Sequence, residues 1–301
     1  MSDNVPLQIY LEEPLRKSAA TGRHNFINLM VEVVEKSGFR VEFPSLPATD
    51  GKPGIHSLSH MAAPPNDKGL VFRRVYQYPF WQIEAAAERW HWDVAQATFD
   101  PCSASPDAAR FYRFWQKRLY GNAALNPVRQ GYIYVPLQGR LDQQRSFQSC
   151  TPFEMLEHCL KLVPNREIHA ALHPNESYSG RELAQLDAMV EKNSRLSVGT
   201  GDMTQHLAAC QYVVTQNSSA AFAGYFFGKP ALLFGKIDFH HIAVMADHDD
   251  LKSCFDRVSS HTPEFAKYIW WFWQDRCINA GRADAKDRIA ARLRRFGWPI
   301  K

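Results

Sequence analysis

The feature that most constrains the fold is a regular alternation between residues 131 and 235. Short apolar runs stand at "GYIYVPLQ" (131–138), "EIHAALHP" (167–174), "LSVGTG" (196–201), "QYVVTQ" (211–216) and "PALLFG" (230–235). Segments with helical spacing lie between them: "TPFEMLEHCLKLVP", "SGRELAQLDAMVEKN", "MTQHLAAC" and "SSAAFAGYFFG". Strand runs of this length alternating with helical segments predict a parallel sheet with helices on its faces. Thr151, with Pro152 in the first turn and Glu154 three residues on, is a helix-start signature.

The first half repeats the rhythm less cleanly. "LQIYL" (7–11) reads as a strand, "RKSAATGRH" as a polar loop, "NFINLMVEVVEKSG" as a helix stopped by Gly38, and "FRVEF" as a second strand. Residues 44–68, rich in Pro, Gly, Ser and His, read as a loop. "GLVFRRVY" reads as a strand, and "FWQIEAAAERWHW" and "DAARFYRFWQKRLYG" as helices. "NAALNP" (122–127) has turn chemistry and is the candidate boundary. The tail gives two closing helices, and its "YIWWFWQ" reads as packing.

A length of 301 residues suggests two domains. The expected organisation is an N-terminal acceptor-side Rossmann-like domain (1–127), a C-terminal nucleotide-sugar domain (128–260), and helices (261–301) packing back across both. The expected fold class is α/β, with two Rossmann-like domains facing across a cleft and closed by C-terminal helices. Ligands in such folds sit at the carboxyl ends of the strands.

Composition removes several classes. The chain is 45% hydrophobic and 22% charged, which excludes a disordered polymer. Its formal charge of +4 allows a phosphate-bearing ligand or peripheral contact with an anionic membrane face, and requires neither. No basic arm suggests nucleic acid. The six cysteines form no CxxC pair, and no metal-ligand spacing appears, so neither a metal nor a cofactor is expected. The opening "MSDNVPLQIYLEEP" lacks the pattern of a signal peptide, and no apolar run is long enough to span a bilayer. A cytoplasmic protein, with peripheral placement at the inner membrane left open, is the expectation.

Four places carry candidate chemistry. In "TQNSSAAFAGYFFGKP", Asn217 or Ser218 can cap the helix that follows, and small residues there admit a ligand to the backbone. The hydroxyl pair Ser218–Ser219 is either a plain cap or a phosphate cradle. In "IHAALHP", Pro174 holds His173 extended, which carries the strand through His173 and places its imidazole at the strand's carboxyl edge. In "VPLQGRLDQQRSFQS", Gln138, Asp142, Gln143 and Arg145 follow a strand; this is either a polar interdomain loop or a carboxylate facing a cleft. Glu84, among aromatics at an expected helix start, is either a dipole-stabilised surface group or a carboxyl with raised pKa suited to acid work. The His240–His241 pair is a further place for ligand contact.

The order "VPLQ…D", "HP", "QNSSAAFAGYFFGKP", "FGKIDFHH" resembles the capsular polysaccharide family of bacterial glycosyltransferases, best from about Gly131 to His241. These are GT-B enzymes that transfer 3-deoxy-manno-octulosonic acid (Kdo) from CMP-Kdo. The resemblance implies that His173, with Pro174, and the helix start at Asn217, Ser218 and Ser219 bind the nucleotide phosphate, with Gln138 beside them. It implies that Asp142 attacks or stabilises the anomeric centre and that Glu84 is the acid/base partner for the acceptor. The implied partners are a nucleotide-sugar donor, CMP-Kdo favoured, and a glycan or glycolipid acceptor. One departure is Ala223, where many GT-B relatives carry a glutamate that contacts the ribose. It keeps open a UDP- or GDP-sugar transferase, a 2-epimerase, and a non-catalytic subunit of a polysaccharide assembly or export complex.

Overall fold

The structure of the chain is a computed structural model that describes residues 5–47, 54–128 and 131–301. By internal contacts the chain forms two compact units. The first holds the described residues through Ala97 together with Phe272–Lys301, and the second is Thr98–Trp271.

The first pass through unit one gives β1 (Val5–Tyr10), α1 (Glu13–Ala20), α2 (Asn25–Lys36), β2 (Phe39–Glu42), β3 (His56–His60), β4 (Gly69–Arg74), β5 (Phe80–Glu84) and α3 (Asp93–Gln96). Three of these correct the sequence reading. Residues expected as a polar loop contribute to α1, whose one buried residue is Ala19; too narrow an apolar stripe left no periodicity to read. Glu13 supports that helix through ion pairs to Arg16 and Lys17. The expected loop at 44–68 contains β3, whose Ser57 and Ser59 are fully buried between neighbouring strands, so its polar residues disguised an interior strand. Part of that loop, 48–53, lies outside the described residues. The expected helix from Phe80 begins instead as β5, buried at all five positions and therefore without alternation.

Unit two comprises α4 (Ala108–Tyr120), β6 (Ile133–Pro136), α5 (Pro152–Leu162), β7 (Ile168–Ala171), α6 (Gly180–Lys192), β8 (Leu196–Gly199), α7 (Met203–Ala209), β9 (Tyr212–Thr215), α8 (Ser219–Tyr225), β10 (Ala231–Leu233), β11 (Val244–Met245), α9 (Leu251–Ser260) and α10 (Phe265–Trp270). The chain then returns to unit one with β12 (Ile278–Asn279) and α11 (Ala285–Arg295). The expected boundary near Pro127 thus differs from the contact division at Ala97. The cause is α4: Tyr112 stacks on Phe226 at 5.7 Å, and Gln116 Nε2 donates to the Phe226 carbonyl. The tail also divides, its last thirty residues joining unit one.

The first sheet has the order β2-β1-β3-β4-β5-β12, parallel through β4 and antiparallel for β5 and β12. Its core packs Leu7, Ile9, Leu58 and Phe72 against Phe26 and Met30 of α2 and Leu293 of α11. Phe26 lies flat on Trp81 at 4.6 Å, an offset contact that adds about 1 kcal/mol to the area buried.

The second sheet has the order β8-β7-β6-β9-β10-β11, and every pairing is parallel. Renumbered from β6, this is the 3-2-1-4-5-6 order of a doubly wound dinucleotide-binding sheet. The chain reverses its direction of travel between β6 and β9, so their carboxyl ends leave a crevice where ligands bind in such sheets. No helix among the described residues is long and apolar enough to cross a membrane.

Candidate functional site

The candidate site is the carboxyl edge of the second sheet, around the β6/β9 reversal. Thr215 Oγ1 donates to the Pro136 carbonyl at 2.9 Å and ties the two flanking strands together. The segments leaving β6, β7, β9 and β10 carry the residues singled out in the sequence.

After β9 the backbone enters α8 through Ser218, which has extended dihedrals and accepts from the Ala220 N–H at 3.2 Å. Ser218, rather than Asn217, is therefore the cap. Asn217 instead donates to the Lys236 carbonyl at 3.2 Å, bracing the loop after β10. Ser218 is buried and Ser219 exposed. A hydroxyl that accepts from the helix still has its own hydrogen to donate. Ala223 is buried within α8, and this chain has no carboxylate at that position.

β7 ends at Ala171, two residues short of His173, where the sequence reading carried the strand onward. His173 is nevertheless fixed. Its N–H donates to the Tyr178 hydroxyl at 2.8 Å, and its Nδ1 accepts from the Asn175 N–H at 3.2 Å. With Nδ1 accepting, the neutral ring carries its hydrogen on Nε2, a donor on an exposed side chain.

The loop after β6 is long and pinned at several points. Leu141 N–H donates to Glu182 Oε1, which attaches the loop to the start of α6. Glu182 also closes a capping box with Ser179. Burial works to raise this carboxyl, but the bonds from Ser179 and Leu141 outweigh it and hold its pKa down. Asp142 follows directly and is exposed. Further on, Ser149 Oγ donates to the Phe234 carbonyl and the Lys236 N–H to the Phe147 carbonyl, both at 2.8 Å. A β-carbon on Gly139 would stand 2.5 Å from Glu176 Oε2, so the loop runs close against that side chain.

Within this pinned loop and beside it, several buried polar atoms have no partner. They are Gln138 Oε1, Arg145 Nε and Nη2, Gln148 Nε2 and Gln216 Oε1. Buried polar groups in folded proteins are nearly always satisfied, so a concentration at the ligand-binding edge of a sheet marks a place built for something else to supply the partners. The sequence reading named Arg145 but gave it no role, and it passed over Gln148 and Gln216. The available signal was a run of amides and one arginine directly after an apolar strand.

Glu84 lies elsewhere, in unit one. It ends β5, in register with Val71 of β4, and so is not at a helix start. It is 3% exposed, with Arg292 Nη2 of α11 at 2.5 Å. Arg292 also contacts Asp93. Burial pushes the Glu84 carboxyl up to about 7; Arg292 lowers it and Asp93 raises it. The structure thus groups His173, Pro174, Gln138, Asp142, Asn217, Ser218 and Ser219 on the segments at one sheet edge, and places Glu84 in a buried ion pair. His240 and His241 follow β10, with Nδ1 of each engaged by the Ile237 carbonyl and the Tyr268 hydroxyl.

No family model matches the sequence, and no curated protein matches it. Solved structures do. The chain is similar to the Thermosulfurimonas dismutans KpsC beta Kdo 2,7 transferase, at 12% identity and TM-score 0.53, over 88% of each chain. It is similar also to the KpsC beta Kdo 2,4 transferase of that organism, at 10% identity and TM-score 0.51, over 88% of this chain and 89% of that one. At such identity the likeness is one of fold: two α/β units on parallel-rich sheets, GT-B-like.

Proposed function

We propose that this chain is a glycosyltransferase of bacterial surface or capsular polysaccharide synthesis, taking Kdo from CMP-Kdo to a hydroxyl of a glycan or glycolipid. The observation that carries the proposal is the unpartnered polar set at the β6/β9 crevice of a doubly wound sheet. Its donors, with the Nε2 of His173 and the hydroxyl of Ser218, suit an anionic leaving group; the amide oxygens of Gln138 and Gln216 suit hydroxyls. The fold shared with two Kdo transferases supports the choice of donor.

In the proposed reaction the bond from the anomeric carbon to the phosphate oxygen breaks, and its electron pair leaves with the nucleotide. Donors at His173 and Ser218 stabilise the charge that develops on that phosphate. Asp142, exposed and next to the anchored Leu141, attacks the anomeric carbon or stabilises its positive charge. As a base, Asp142 takes the proton of the acceptor hydroxyl while that hydroxyl's oxygen bonds the anomeric carbon, and the outcome is inversion. As a nucleophile, it forms a glycosyl-enzyme that the acceptor oxygen displaces, the hydroxyl proton passing to the departed nucleotide phosphate, and the outcome is retention. The acid/base role expected of Glu84 is not part of the proposal, because its carboxylate is buried against Arg292.

The test is a melting-temperature panel with CMP, CDP, UDP, GDP and ADP, followed by transfer from CMP-Kdo. A ligand that binds only the native state raises the midpoint by mass action. The expected result is a shift with CMP, weakened in His173→Ala. Asp142→Ala should keep the shift and lose transfer. A shift only with a nucleoside diphosphate would replace the donor. Undiminished turnover in Asp142→Ala would remove that residue from the chemistry. No shift with any nucleotide would favour a non-catalytic subunit of a polysaccharide assembly complex.

A further inference from the structure

We propose that Arg145 is the principal phosphate anchor of the second unit, its guanidinium held open within the β6–α5 loop for the phosphate of a nucleoside monophosphate. This inference rests on the nucleotide-sugar reading above and deepens it, since neither the family resemblance nor the fold comparison assigns Arg145 a role.

The first ground is the state of the side chain. Nε and Nη2 are both buried and neither meets an acceptor within the protein. An arginine is the costliest side chain to leave this way, because it cannot shed its charge and has no neutral form to fall back on. Burial pulls its pKa down; the Glu176 charge raises it and the Arg140 charge lowers it further. Glu176 gives a distant balancing charge without a hydrogen bond to either buried nitrogen. A phosphate would supply two oxygens to Nε and an Nη in the parallel geometry that a guanidinium fork matches.

The second ground is that the loop prevents escape. The Arg145 N–H donates to Gln148 Oε1 at 2.7 Å, and the guanidinium stands 4.8 Å over the Phe147 ring. Gln148 pairs across to Gly235 by an antiparallel bridge. A β-carbon on Gly235 would meet the Gln216 carbonyl at 3.0 Å and Phe147 at 3.2 Å, so these segments are in close contact. An arginine on a free loop would extend its head to water; this half-buried one keeps Nε and Nη2 out of solvent.

The third ground is the polarity of the neighbours. Gln148 uses its oxygen for the Arg145 N–H, which leaves its Nε2 as a donor. Gln216 uses its Nε2 for the Cys150 carbonyl at 3.0 Å, which leaves its Oε1 as an acceptor. The bonds already made therefore fix both amide orientations. The set is one cation and one amide donor for an anion, with an acceptor beside them for a hydroxyl. The buried Ser218 and exposed Ser219 at the start of a seven-residue helix carry no charge of their own to match it.

The test is calorimetric titration of cytidine and of CMP into the wild type, Arg145→Lys and Arg145→Met, with the melting temperature of each ligand-free protein. The difference between the two ligands isolates the phosphate. Arg145→Met should lose about tenfold or more in CMP affinity, as expected for a charge-assisted pair, and leave cytidine affinity unchanged. Its ligand-free melting temperature should hold or rise, because an unpaired buried charge has been removed. Arg145→Lys should fall between the two, keeping the charge without the fork. Wild-type affinity for CMP in Arg145→Met would overturn the anchor and leave the nucleotide reading standing. Equal loss of cytidine and CMP with a lowered melting temperature would make Arg145 structural. A wild type that binds none of CMP, CDP, UDP or GDP would overturn both.

Discussion

At the scale of single residues, Glu84 and Arg145, whose polar atoms are buried in different units, answer to different needs. Glu84 and Arg292 meet at 2.5 Å with side chains 3% and 14% exposed, so each covers the other's charge. Removing one partner strands the other. Arg292→Ala should cost about 3–5 kcal/mol by urea denaturation, and adding Glu84→Gln should recover part of that loss. The same carboxyl gives a pH signature. Its pKa rises from 4.5 to about 7 on folding, so its contribution is full below about 4.5 and is lost as pH climbs through 7. The wild-type melting temperature should therefore fall relative to that of Glu84→Gln between those values. A parallel pair of curves would show that Glu84 does not titrate in this range. Arg145, by contrast, has no such partner on its buried nitrogens, which is why it reads as waiting for a ligand. The residue identities were visible in the sequence. Which carboxylate was already paired, and which arginine was not, depended on chain segments about 200 and 30 positions away respectively.

At the scale of elements, local chemistry was legible wherever one helix carried its own signals. The start of α5 was read from Thr151, Pro152 and Glu154, and the structure shows that capping box closed from both sides. Thr151→Ala should cost about 1 kcal/mol in chemical denaturation, and a change below a few tenths would mean the box is redundant. The end of α8 was read from Gly228, which does take a left-handed conformation with φ 63°. The lysine that follows is buried at 1% exposure and donates to the Val128 and Cys210 carbonyls, a tie that no local pattern announces. Elements failed to show where their periodicity was erased from outside. β3 is an interior strand with two buried serines, β5 is covered on both faces, and α1 presents almost no apolar stripe. Each lost the alternation or the stripe that single-sequence reading depends on.

At the scale of the whole molecule, the two units are chains of unequal continuity. Unit two is a single stretch, Thr98–Trp271, whereas unit one needs Phe272–Lys301 to complete it. Those last residues put Ile278, Ile289, Leu293 and Trp298 into its core. A fragment covering 98–271 should melt cooperatively by circular dichroism. A fragment ending at Ala97 should not, until 272–301 is supplied; cooperative melting of the short fragment alone would refute the division. The sequence by itself determined the α/β class, the parallel alternation of residues 131–235 and the caps, because these depend on side-chain spacing and turn chemistry within a few residues. It also marked the polar segments that leave the strands. Only the tertiary structure decided the strand order that places the reversal between β6 and β9, the transfer of residues 98–127 to the second unit, and the burial of Glu84 beside Arg292. Those outcomes are set by long-range pairing and by which polar atoms find partners once the chain is compact, and no local pattern of residues encodes them.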